Sequence, residues 1–85
     1  MKTFTHVIKD PVGLHARPAA DFVTFAKTIS SEIRLECAGK SADAKRLMQV
    51  MAMGAGCGSQ LTVTVSGETE QSDCSVVESY MKDHV

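Results

Sequence analysis

The segment VGLHARPAAD, residues 12–21, places His15 two residues before Arg17 and three before Pro18. A neutral imidazole is a good nucleophile near pH 7, and a guanidinium presents a fork of donors that fits phosphate oxygens. If a helix begins at Ala16, its first backbone N–H groups lack intrahelical partners and favour an anion beside His15. This arrangement is suited to a phosphoryl group carried on His15 and held by Arg17 and by the backbone at Ala16.

The same triplet has a simpler interpretation, in which His15 only caps a helix and Arg17 is a solvated charge. Local chemistry does not choose between the two. The other histidines lack an equivalent setting, because His6 lies within a predicted strand and His84 lies at a predicted frayed end. We therefore expect no role in the chemistry for His6 or His84.

Composition excludes several classes of protein. The 85 residues carry a net charge of −1 and few aromatic side chains, so a nucleic-acid-binding protein is not expected. The three cysteines lack CxxC spacing, which predicts free thiols, no metal site and a cytosolic protein. No stretch approaches the roughly 18 apolar residues of a membrane span. We expect one cytosolic domain over 1–85, with a single small core and no membrane insertion.

Apolar periodicity predicts the elements that position His15. Alternating side chains predict four strands, over 2–8, 32–37, 40–43 and 61–67. Apolar spacings of three and four predict three helices, over 16–27, 47–53 and 70–82. Ala38-Gly39 is a plausible hairpin turn, and GAGCGS at 54–59 is expected to be a flexible loop. The order βαββαβα predicts an α/β (α+β) fold, an open two-layer sandwich with one antiparallel sheet and the helices on one face.

Three segments together resemble a known family: GLHARPA at 13–19, AKRLMQVMAMG at 44–54 and LTVTVSG at 61–67. They are similar to the histidine-containing phosphocarrier proteins, HPr, of the bacterial sugar phosphotransferase system. The resemblance covers essentially the whole chain, including the order of elements. It implies a four-stranded sheet in the order 1-4-2-3 with three helices on one side. It also implies a carrier, not an enzyme, with no cofactor.

The resemblance further implies the roles of individual residues. Phospho-enzyme I would phosphorylate His15 at Nδ1 with the assistance of Arg17, and the group would then pass to enzyme IIA components of sugar permeases. Both partners would dock on an apolar patch flanked by charge. The residues that match this partner surface are Ala16, Ala20, Thr24, Lys27, Leu47, Met48 and Met51. Arg46 precedes the Leu47 and Met48 patch, and we expect its positive charge to attract acidic surfaces of the partners. We expect the carrier to act as a monomer.

Two positions and one loop, AGCGS at 55–59, depart from the family pattern. The residue before Leu47 is commonly a serine, which a regulatory kinase phosphorylates in many low-GC Gram-positive members, but here it is Arg46. We therefore expect that switch to be absent. Gln49 stands where a glycine is usual. The main alternative to a general carrier is thus a specialised paralogue with a regulatory role, in an operon-specific or nitrogen-type relay.

Two other classes of function fit the sequence less well. A non-catalytic regulatory binder of the same fold would not need both His15 and Arg17. An autonomous enzyme would need a substrate pocket and a second catalytic group beside His15. The only nearby carboxylates, Asp10 and Asp21, show no pattern that would orient a base.

Overall fold

The chain folds into four strands and three helices in the predicted order, and the computed structural model describes residues 1–85. The strands are β1 (Lys2–Val7), β2 (Glu32–Cys37), β3 (Lys40–Asp43) and β4 (Gln60–Ser66). The helices are α1 (Ala16–Ala26), α2 (Leu47–Ala52) and α3 (Glu70–His84). Neighbouring strands are antiparallel and lie in the order β1-β4-β2-β3. The predicted α+β sandwich and its strand order are therefore confirmed.

Burial alternates along the central strands. Every second residue of β2 and β4 points into the core, and the residues between them are exposed or half-buried. The helices close this layer with side chains that are completely or almost completely buried: Phe22 and Val23 from α1, Val50 from α2, and Val77 and Met81 from α3. Burial of each such side chain contributes about 1.5–3 kcal/mol. The opposite face of the sheet stays open, and none of the three helices is long and apolar enough to cross a membrane.

The hairpin between β2 and β3 turns at the predicted dipeptide. Cys37 pairs with Lys40 across the turn, and Ala38 and Gly39 both have positive φ angles, of 52° and 81°. Two consecutive left-handed residues match the twist of antiparallel strands. Glycine adopts this conformation freely, whereas Ala38 does so at a steric cost.

The C-terminus differs from the sequence prediction. Instead of fraying, α3 continues to His84, and Val85 is buried. The Val85 carbonyl accepts hydrogen bonds from the N–H groups of Lys9 (2.9 Å) and Asp10 (3.3 Å), which fixes the chain end against the segment that follows β1. On the same helix, the side chain of Cys74 is only partly buried.

The glycine-rich loop 54–59 is tied to the segment that leads to His15. The Gly58 N–H donates to the Ile8 carbonyl at 2.9 Å, and the Ile8 N–H donates to the Ser59 carbonyl at 3.0 Å. Ala55 is buried, and its carbonyl accepts the Leu14 N–H at 2.9 Å. Where the sequence predicts flexibility, the structure therefore has a hydrogen-bonded support for the start of α1.

Candidate functional site

The backbone on the N-terminal side of His15 is held in one conformation. Gly13 has a φ of 82°, and a Cβ atom there would lie 2.6 Å from the Gly56 Cα and 2.8 Å from the Ala55 carbonyl oxygen. Only glycine fits that approach. Leu14 follows as a buried anchor. This close contact with the 54–59 loop brings His15 to the start of α1.

His15 is the N-cap residue of α1 but does not cap it with its side chain. The residue is extended (φ −88°, ψ −173°), its side chain makes no capping hydrogen bond, and only its carbonyl takes part in the helix, accepting the Ala19 N–H at 2.9 Å. The side chain is exposed. A capping role for the imidazole is therefore wrong, and the ring is available to other molecules.

The first turn of α1 leaves backbone donors free beside His15. The N–H groups of Ala16 and Arg17 have no partner within the chain, and Pro18 has no N–H to satisfy. The turn contains no acidic residue. The positive end of the helix dipole is thus not offset within the turn, and the exposed Arg17 adds a full positive charge. An anion on His15 would meet backbone donors and a guanidinium together.

His15 and Arg17 line one surface concavity of about 260 Å³. Its walls come from α1, from the end of α3 and from the loop after β1. The lining residues are Asp10, His15, Arg17, Pro18, Asp21, Tyr80 and His84. Sequence reasoning identified neither the concavity nor the contribution of α3, because Tyr80 and His84 come from the opposite end of the chain. No group of three histidine, cysteine or acidic side chains is arranged to hold a metal ion.

Aromatic stacking fixes the α3 wall of the concavity. The Tyr80 ring stacks on Phe25 of α1, with centroids 4.1 Å apart and planes 9° apart, and His84 lies 4.5 Å from Tyr80. Partial burial, and to a lesser extent the charge of Asp21, raise the pKa of the Tyr80 hydroxyl. At neutral pH Tyr80 therefore stays protonated and uncharged.

The predicted partner surface lies on α1 and α2, which pack beside each other. Met48 is the most exposed of its large apolar residues, at 79%, Met51 is 41% exposed, and Leu47 is half-buried. On α1, Ala16, Thr24 and Lys27 are exposed and Ala20 is half-buried. The core contact of α2 is made by Val50, and the buried Met53 follows the helix. An apolar surface flanked by Lys27 and Arg46 therefore remains accessible.

The two unusual residues of α2 shape its start in different ways. Arg46 is the N-cap, makes no capping hydrogen bond, and lies 3.9 Å from a carboxylate oxygen of Asp43. The Gln49 Oε1 accepts the Asp43 N–H at 2.9 Å, and Asp43 Oδ1 accepts the Lys45 N–H at 2.9 Å. A glycine at position 49 could not make the first bond. Sequence reasoning missed this link, for which a glutamine in the first turn was the only signal.

Comparisons with known proteins identify the family of this chain. A family model described as "PTS HPr component phosphorylation site" matches residues 2–83. The phosphocarrier protein HPr of Haemophilus influenzae is 49% identical over 59 residues, which are 69% of each chain. The crystal structure of HPr-C-His from Thermoanaerobacter tengcongensis is 34% identical, with a TM-score of 0.90 over 99% of this chain and 94% of that one. An HPr dimer from the same organism is 35% identical, with a TM-score of 0.74 over 98% and 95% of the two chains. The chain therefore belongs to the HPr family, the phosphocarrier proteins of the phosphotransferase system.

Proposed function

We propose that the chain accepts a phosphoryl group from phospho-enzyme I on Nδ1 of His15 and passes it to enzyme IIA components of sugar permeases. The observation that carries this proposal is the exposed imidazole of His15 at a helix start whose N–H groups are free. An imidazole that makes no capping bond keeps its lone pair for attack on phosphorus. The residue types, the geometry and the family all support the same acceptor.

Each transfer exchanges one bond to phosphorus for another. In the first, Nδ1 of His15 forms a bond to the phosphorus while the donor's bond breaks and its electron pair returns to the donor. In the second, the acceptor atom of the IIA protein attacks, and the electron pair of the P–N bond returns to His15. Charge on the phosphoryl oxygens is met by Arg17 and by the N–H groups of α1. A hydrogen bond to a charged group contributes about 1.5–3 kcal/mol, so Arg17 is the side chain we expect to matter most after His15.

The accessibility of the site suits a carrier. A group that two partners must reach in turn has to lie at the surface, and both His15 and Arg17 are exposed. Specificity then comes from docking, for which we propose the surface on α1 and α2 that exposes Met48 and Met51. Methionine adapts to more than one partner because its side chain is flexible. The concavity and this surface are complete within one chain, which supports a carrier that acts as a monomer. The three free cysteines support a cytoplasmic location, where thiols stay reduced.

A specialised carrier is the second candidate, and one observation favours it. Arg46 projects into solvent where regulated members of the family have a serine, and its side chain is 70% exposed. A guanidinium does not accept a phosphoryl group from a serine kinase. We therefore propose that this chain lacks the serine switch and that Arg46 contributes to the choice of partner.

Reconstitution tests the proposed relay. The chain is incubated with phosphoenolpyruvate and enzyme I, and the phosphorylated product is then offered to a panel of IIA proteins. We expect phosphorylation by enzyme I and transfer to IIA proteins, with transfer to several indicating a general carrier and transfer to one a specialised carrier. His15→Ala is the matched control and should be inactive in both steps. A wild-type chain that enzyme I does not phosphorylate would contradict the proposal.

A further inference from the structure

The concavity beside His15 contains a second imidazole that the proposed transfer does not use. His84 lies in the last turn of α3, and its side chain lines the same concavity of about 260 Å³ as His15 and Arg17. A histidine in this place can offer a phosphate oxygen an N–H donor and, when protonated, a positive charge. His6 does not line the concavity, because it lies in β1.

The surroundings of His84 hold it in place without occupying its nitrogens in ion pairs. Its ring packs 4.5 Å from the Tyr80 ring, which is itself stacked on Phe25 at 4.1 Å. The next residue, Val85, is buried and bound through its carbonyl to the N–H groups of residues 9 and 10. None of the chain's ion pairs involves His84. The imidazole is therefore positioned in advance and free to contact a new anion.

The charges around the concavity leave a place for a second cation. Asp10, Asp21 and Tyr80 line it, and Arg17 is its only permanently charged cation. Lys9 and Asp83, which carry opposite charges, line a neighbouring hollow that His84 also borders. A phosphoryl group adds roughly −1.5 to −2 charges at neutral pH. One guanidinium does not balance that charge next to two carboxylates, whereas a guanidinium and an imidazolium together come closer to it.

We propose that the His84 imidazole contacts the phosphoryl group carried on His15 and stabilises the phosphorylated state. The inference rests on the proposed function, because it concerns the same phosphoryl group. A charge-assisted hydrogen bond in a partly exposed site should shift the phosphorylation equilibrium roughly three- to tenfold.

A competition experiment measures this shift without depending on docking. Wild type and His84→Phe, which differ in mass, share a limiting amount of phosphoenolpyruvate with catalytic enzyme I until the phosphoryl groups equilibrate. Phenylalanine keeps an aromatic ring against Tyr80 but has no N–H and no charge. His6→Phe is the matched control, because it makes the same change outside the concavity. Intact-mass spectrometry gives the phosphorylated fraction of each chain at pH 6 and pH 8.

The phosphoryl group should favour wild type over His84→Phe roughly three- to tenfold, with His6→Phe equal to wild type. A second variant, His84→Lys, keeps a positive charge at both pH values and should regain the share that His84→Phe loses. Equal partition of all variants at pH 6, with wild type phosphorylated normally, would overturn the inference and leave the proposed function intact. If enzyme I phosphorylates no chain, the proposed function itself fails.

Discussion

Replacement of Arg46 by serine should stabilise the free protein. The N–H groups of Leu47, Met48 and Gln49 have no partner within the chain, and Arg46 is extended (φ −123°, ψ 106°), the conformation of a capping residue. A serine hydroxyl there would accept one of these N–H groups, for about 0.5–2 kcal/mol. Removal of a positive charge from the positive end of the helix adds about 0.3–1 kcal/mol.

Arg46 itself contributes little to the stability of the folded protein. Its only ionic partner, Asp43, lies 3.9 Å away, and the guanidinium is largely exposed, so the pair is worth about 0–1 kcal/mol. The net expectation is a gain of about 1 kcal/mol, which raises the thermal midpoint by roughly 4–8 °C in a domain of this size. Arg46→Ala, which removes the charge but supplies no cap, should gain less than Arg46→Ser.

The same substitution should slow phosphotransfer, because Arg46 adds positive charge beside the apolar docking surface. We expect a rate from phospho-enzyme I that is about two- to fivefold lower at 10 mM salt. The difference should vanish near 1 M salt, where the screening length falls to about 3 Å. Arg34→Ser is the matched control, since Arg34 is an exposed arginine on the open face of the sheet. A lower thermal midpoint for Arg46→Ser, or a rate effect that is equal at low and high salt, would refute the reasoning.

Three further expectations follow from the same geometry. Arg17→Ala should lower the transfer rate by tenfold or more while its thermal midpoint stays within a few degrees of wild type, and a collapse in stability with transfer intact would reverse the role assigned to Arg17. Met48→Asp should weaken binding to both enzyme I and IIA by roughly tenfold or more, because it places a charge in an apolar contact. Val76→Asp, at an exposed position of α3, is the control and should leave the affinity for both partners, measured by titration, unchanged. Burial, and secondarily the charge of Lys9, lower the pKa of His6, whose Nε2 is buried without a hydrogen-bond partner. As the pH falls below the ordinary value of 6.5, the unfolded chain therefore takes up a proton at His6 before the folded chain does. The free energy of unfolding should therefore decrease below that pH, and less so in His6→Leu; parallel urea midpoints for the two proteins from pH 7.5 to 5 would contradict this.

Local patterns in the sequence are sufficient to predict the strands, the helices and the centre of the site. Strict alternation in LTVTVSG predicts β4 within one residue, because a half-buried strand requires that pattern. Pro18 defines the start of α1, because a proline fits a helix only in its first turn. Together with the histidine and arginine on either side of Ala16, it predicts the helix mouth that the structure has.

Features that depend on contacts between distant segments could not be read from local patterns. The end of α3 looks frayed in the sequence, and it is ordered by the Val85 carbonyl, which the N–H groups of residues 9 and 10 bind. The concavity also depends on this contact between the end of α3 and residues 9 and 10. The sequence alone therefore does not place Tyr80 and His84 beside His15. Glycines in 54–59 indicate freedom of the backbone, yet the loop packs against Gly13, whose lack of a Cβ atom permits the close approach. In each case the deciding interaction joins parts of the chain that are far apart in sequence.

The site of phosphorylation is the most direct test of the central claim. The uniformly ¹⁵N-labelled chain is incubated with phosphoenolpyruvate and enzyme I, and the imidazole nitrogens are then assigned by long-range ¹H–¹⁵N correlation with coupling to ³¹P. We expect one acid-labile, base-stable phosphate, coupled to Nδ1 of His15 and absent from His15→Ala. A phosphate that persists in His15→Ala, or that is coupled to His6 or His84 in the wild type, would contradict the account.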